Sequence, residues 1–83
     1  IHMKTAKYFT ASWCGPCKMF KPVIQEAVSE GHSIEILDID TSQTEAIKYN
    51  VMSVPTVVIE EDGAEVDRLV GVVAKDEVIR RLT

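Results

Sequence analysis

Cys14 and Cys17 are the only two cysteines of the chain, and just Gly15 and Pro16 separate them. Two sulfurs at this spacing can close a disulfide within one turn of chain and open it again by exchange. The pair lies where an apolar run, Ala6 to Phe9, gives way to a helical pattern. The unpaired N–H groups and positive dipole end of a helix stabilise an anion beside them, here a thiolate. Cys14, at the mouth of the helix and expected to be exposed, is therefore the candidate nucleophile. Cys17, a turn further in and more buried, is the candidate resolving thiol, which attacks the mixed disulfide and frees the reduced product. Pro16 suits a first helical turn, since it forfeits no hydrogen bond and arrives with φ already set. Gly15 lets the backbone bend tightly before it. The competing readings are an inert buried thiol or a fixed structural disulfide, and the Gly-Pro interior argues against both. Structural zinc would need about four ligands; beyond the two cysteines only His32 remains once His2 is set aside.

The rest of the chain must position these sulfurs. Its 83 residues make one small domain, 3–83, and 46% of them are apolar, enough for a single core. Ile1 and His2 precede Met3, the expected natural start, and are read as a cloning remnant. Nine basic residues against thirteen acidic ones leave a net charge of −4, with no basic cluster beyond Arg80-Arg81, which argues against nucleic acid and anionic membranes as partners. No apolar run approaches the ~18 residues of a membrane span, and no secretory signal is evident. A redox motif without an export signal points to a reducing cytoplasm.

Lys4 to Thr10 reads as a strand. Met19, Phe20, Val23, Ile24, Ala27 and Val28 form one helical stripe from Pro16 onward, with a kink expected at Pro22 and an end at Gly31. Ser33 to Asp40 reads as a buried strand. Ser42 with Glu45 has the capping-box spacing, which predicts a short helix over Gln43–Tyr49 ending at Asn50. Thr56 to Glu60 is the most continuous β-branched run. Glu61-Asp62-Gly63 signals a hairpin turn, and Glu65 to Val70 is its second arm. Val78, Ile79 and Leu82 give a last helix its apolar face, with Ala74 a poor N-cap partly offset by Asp76 and Glu77. The order βαβ-α-ββα fits an α/β fold with one four-stranded mixed sheet flanked by helices.

Trp13-Cys-Gly-Pro-Cys-Lys18, with Pro22 after it, resembles the thioredoxin family. So do Lys48-Tyr49, Val54-Pro55-Thr56, the Asp62-Gly63 turn and Val70-Gly71, in the family's order and at nearly its spacings. A lone Cys-x-x-Cys is a weak signal; this one followed by Val-Pro-Thr is strong. The resemblance covers the chain from Tyr8 onward. It implies the thioredoxin fold in a short bacterial- or phage-type form that lacks the first strand and helix. It also implies reduction of protein disulfides, with no cofactor or metal beyond the redox-active Cys14–Cys17 disulfide. The implied partners are a thioredoxin reductase-like electron donor and disulfide-bearing client proteins, among them ribonucleotide reductase. A monomer in the cytoplasm is expected, or in the host cytoplasm if the source is viral.

By the same resemblance Pro55 is cis and faces the disulfide, turning the Val54 backbone toward a substrate strand. Trp13, Gly15, Pro16, Ser53, Val54, Pro55, Gly71 and Val72 then form the substrate-binding face. Trp13 could instead be a core aromatic. Tyr49 and Met52 read as packing, Lys18 as local positive charge or a solvated lysine, and His32 as a loop residue. One departure concerns the mechanism. Thioredoxins commonly bury an aspartate six residues before the first cysteine, where this chain has Tyr8, and the lysine that often partners it is matched by Ile36. Tyrosine, with an ordinary pKa of ~10, is a poor base at neutral pH. Cys17 is then expected to lose its proton to a water or to the departing substrate sulfur. Three alternatives stay open: a glutathione-dependent glutaredoxin-like enzyme, favoured by chain length but not by Gly-Pro; a non-enzymatic subunit or processivity clamp; and an oxidising role.

Overall fold

In the computed structural model, which describes residues 3–83, strand β1 (Lys4–Thr10) leads into helix α1 (Gly15–Ser29) and strand β2 (Ile34–Asp38). Helix α2 (Gln43–Lys48), strands β3 (Thr56–Glu61) and β4 (Ala64–Val70), and helix α3 (Lys75–Leu82) follow. Ile1 and His2 lie outside the described residues. The strands form one sheet in the order β2-β1-β3-β4. β1 runs parallel to β2 across the α1 crossover and antiparallel to β3, and β3 and β4 form a hairpin. Asp62 and Gly63 both have positive φ, 55° and 81°, the geometry whose twist matches that of the flanking strands.

Alternation along β1 sends its side chains to opposite faces, and each face has its own core. Ala6 and Tyr8, with Val57, Ile59 and Leu69, pack against Phe20 and Ile24 of α1 and Val78 and Leu82 of α3. Phe9, with Leu37 and Val58, packs against Ala46, Tyr49, Val51 and Val54 on the other side. The Tyr8 and Phe20 rings meet edge to face at 5.7 Å. Among the described residues no helix is long and apolar enough to cross a membrane.

Several local expectations are corrected. α1 buries Cys17, Phe20, Ile24 and Ala27, whereas Met19 is 74% exposed and Val28 is also exposed. A helix lying on one sheet face buries a narrow arc, and residues 19 and 28 fall on either side of it. At Pro22 the expectation that the helix is not broken stands: α1 continues through this exposed residue. β2 is an edge strand rather than a buried one, with only Leu37 buried, because no strand pairs beyond it. Ser42 makes no side-chain capping bond: its φ of −119° and ψ of 49° lie outside the extended conformation that aims a hydroxyl at the first turn. The chain enters α2 through a backbone turn, Ser42 N–H donating to the Asp38 carbonyl at 2.7 Å. Met52 is exposed, so packing does not account for it.

α3 is tied to the sheet by Arg81, which donates to Asp67 at 2.5 Å, and to α1 by Lys75, which reaches Glu26 and Glu30 at 2.6 Å each. The Arg81 guanidinium, helped by the Arg68 backbone N–H, lowers the Asp67 carboxyl below its ordinary value. A carboxylate lowered on folding contributes stability above its unfolded pKa, and that contribution disappears as pH falls through the folded value. Asp67→Asn should therefore lower the urea midpoint at neutral pH and leave it nearly unchanged in acid below the folded value. An equal loss at both pH values would show that the pair contributes nothing electrostatic.

Candidate active site

Cys14 caps α1 from an extended conformation, with φ −89° and ψ 112°. Its own N–H donates to the Ala11 carbonyl at 3.2 Å, closing the turn that lifts the chain off β1. The Cys17 N–H donates to Cys14 Sγ at 3.1 Å. A sulfur in the N-cap position thus takes the place of the usual hydroxyl or carboxylate acceptor, and the helix donor satisfies it as it would an anion. Gly15 and Pro16, both exposed, form the first turn, where proline costs no hydrogen bond.

The two sulfurs are joined as a disulfide, with Cα atoms 5.2 Å apart. Cys14 is 5% exposed and Cys17 2%, so the expectation of an exposed Cys14 is corrected while the order of burial stands. Ala11, Ile39 and Val54 pack around the pair. Cys14 Sγ lies 3.7 Å from the Val54 carbonyl oxygen. The Val54–Pro55 bond is cis, and the Pro55 carbonyl accepts the Gly71 N–H at 2.8 Å. Gly71 holds φ at 89°, a conformation that side-chain-bearing residues rarely adopt. The Ser53 carbonyl accepts the Thr56 hydroxyl at 2.7 Å, fixing the loop that carries Val54.

Trp13 is 65% exposed, which removes the core-aromatic reading. Its indole N–H donates to Asp40 at 3.0 Å, so the ring is pinned while its apolar surface faces solvent. Ser53 and Val72 are exposed, and Val54 and Gly71 half-buried. Pro55 is buried. Sequence reasoning missed Asp40, whose position 27 residues after Trp13 carries no local signal of the contact. It also missed a cavity of about 260 Å³ on the Cys17 side, lined by Thr10, Cys17, Lys18, Lys21 and Asp38. Lys18 thus borders this cavity, while half-buried His32 lies away from the sulfurs, beside Met3 and Leu82.

Tyr8 stands fully buried beneath the site. Its hydroxyl lies 3.3 Å from Thr10 Oγ1 and 3.4 Å from the Cys17 carbonyl oxygen. Burial pushes the phenol above its ordinary value, with the Thr10 contact offsetting part of the shift. It therefore stays protonated at neutral pH and is no proton acceptor for Cys17. Among the described residues no group of three or more His, Cys, Asp or Glu side chains could hold a metal ion.

The family model for thioredoxin matches residues 4–83. A thioredoxin of Chlamydia trachomatis is 44% identical over 77 residues, covering 90% of this chain and 76% of the relative. One from Staphylococcus aureus is 46% identical over 71 residues, covering 82% of this chain and 68% of the relative. Among solved structures, Fasciola hepatica thioredoxin superposes with a TM-score of 0.88 at 33% identity, over 98% of this chain and 82% of that one. A mutant thioredoxin from Halobacterium salinarum gives 0.85 at 34%, over 95% and 71%. With a sulfur pair capping a helix on a four-stranded mixed sheet, and with these likenesses over nearly its whole length, the chain belongs to the thioredoxin family of dithiol–disulfide oxidoreductases.

Proposed function

We propose that the protein is a general reductant of protein disulfides in the cytoplasm, supplied with electrons by an NADPH-dependent reductase of the thioredoxin reductase kind. The observation that carries this reading is the Cys17 N–H bond to Cys14 Sγ at the N-terminus of α1. The same donor and the helix dipole favour negative charge on that sulfur once the disulfide is reduced. Cys14 then attacks a client disulfide, forming a Cys14–client S–S bond and expelling the other client sulfur. Cys17 attacks Cys14 Sγ, the Cys14–Cys17 disulfide forms, and the second client sulfur leaves. Two electrons pass to the client and the protein ends oxidised.

The client docks on the surface formed by Trp13, Gly15, Pro16, Ser53, Val54, Gly71 and Val72, with buried Pro55 shaping the loop beneath it rather than offering surface of its own. Trp13 and Val72 supply exposed apolar area, and the Val54 backbone beside Cys14 Sγ can pair with an extended segment. The protein acts as a monomer, and ribonucleotide reductase is one client to assay. The test follows insulin disulfide reduction in two arms, one with thioredoxin reductase and NADPH, the other with glutathione and glutathione reductase. Turnover is expected in the first arm. Turnover in the second alone would overturn the reading in favour of a glutathione-dependent enzyme.

A further inference from the structure

We propose that Asp38, at the end of the edge strand β2, is the proton acceptor for Cys17, reached through the water that enters the cavity between them. Cys17 and Asp38 both line that cavity, whose volume of about 260 Å³ has room for several waters. Asp38 is the register partner of Thr10, as Ile36 is of Tyr8. Side chains two residues apart in a strand share a face, so Tyr8, Thr10, Ile36 and Asp38 all lie on the side covered by α1. Tyr8 is a protonated phenol, and Asp38 is the carboxylate that the cavity shares with Cys17. One Asp38 oxygen, Oδ1, accepts the Asp40 N–H at 2.8 Å, which anchors the group at the cavity wall.

The step balances without any further reactant. The Cys17 thiol gives its proton to a water, which passes one to the Asp38 carboxylate. The Cys17 thiolate attacks Cys14 Sγ of the mixed disulfide, the Cys14–Cys17 bond forms, and the client sulfur leaves as a thiolate. That thiolate takes a proton from solvent, and Asp38 returns its own to solvent through the cavity. A carboxylate is a weaker base than a thiolate, so Asp38 relays the proton during attack rather than storing it. The titratable groups that line the cavity with Asp38 and Cys17 are Lys18 and Lys21 from α1; the Tyr8 hydroxyl is directed to Thr10 and the Cys17 carbonyl, and the Asp40 carboxylate accepts from Trp13. The two lysines border the cavity and set the field in which the proton moves.

The inference rests on Cys17 being the resolving thiol, and the experiment separates the two ideas. The reduced protein is mixed with dithiobis(nitrobenzoate) in a stopped-flow instrument. Attack by Cys14 releases one coloured thiolate, and resolution by Cys17 releases the second. Asp38→Asn keeps the acceptor oxygen for the Asp40 N–H and removes the basic site. It should slow the second phase about 10- to 100-fold at neutral pH, around the low end of the range for positioned proton transfer, and leave the first unchanged. The pH profile of the second phase should move upward, and Asp38→Glu should restore much of the rate. A second phase of unchanged rate and pH profile in Asp38→Asn, or equal slowing of both phases, would overturn the role of Asp38. A second phase that survives in Cys17→Ser would overturn the underlying assignment of the resolving thiol.

Discussion

Cys14→Ser will lower insulin reduction by at least about 10³-fold, within the scale on which deleting a covalent nucleophile acts. A serine hydroxyl cannot exchange with a disulfide, and the Cys17 left behind is 2% exposed, beneath the first turn of α1. Cys17→Ser will also abolish turnover, but by a different route. Cys14 remains at the cap position with the residue-17 N–H still donating to its sulfur, because that bond comes from the backbone. The first attack therefore proceeds and the second cannot, and the client stays attached. Non-reducing gels and intact mass will show a client adduct with Cys17→Ser and none with Cys14→Ser. The reverse pattern would exchange the two roles and remove the link between helix capping and nucleophilicity.

Phe20→Ala will bring the protein close to global unfolding. Phe20 is fully buried at the junction of α1, α3 and the sheet, and its ring meets the edge of Tyr8. Truncating such a ring removes its burial and leaves a cavity, at a cost of about 3–5 kcal/mol. The total stability of a chain this long is only about 4–12 kcal/mol. With a urea slope of about 1 kcal/mol per molar, the midpoint should fall by roughly 3 M or more. Met19→Ala, one residue earlier on the same helix, removes a side chain that is 74% exposed, and should change stability by less than about 0.5 kcal/mol. Comparable losses at residues 19 and 20 would mean that α1 sits on the sheet in a different rotation.

The contrast between those two residues marks where sequence reading stops. Periodicity places Met19 and Phe20 on one broad stripe, and no local property separates them. What separates them is the width of the sheet face that receives the helix. The same limit applies to β2. Ile34, Ile36, Leu37 and Ile39 read as a buried strand, yet only Leu37 is buried, because the strand lies at an edge. Ser42 and Glu45 have capping-box spacing, but the backbone at Ser42 is turned so that no such bond forms.

The element order, the hairpin at Asp62-Gly63 and the sulfur pair at a helix mouth were all legible in the chain itself. Each rests on short-range chemistry: apolar alternation, residues that tolerate positive φ, and a proline that needs no N–H. Val54, 40 residues from Cys14, was brought to the sulfurs only by the resemblance and not by local chemistry, and Asp40, 27 residues from Trp13, was not legible at all. Nor was it visible that Asp38 shares a cavity with Cys17, which follows from the parallel register of β2 against β1. Contacts between distant segments depend on how strands pair and how helices lie on them. Tertiary packing alone therefore chose the buried arc of α1, the partner of Trp13 and the carboxylate that shares a cavity with the inner thiol.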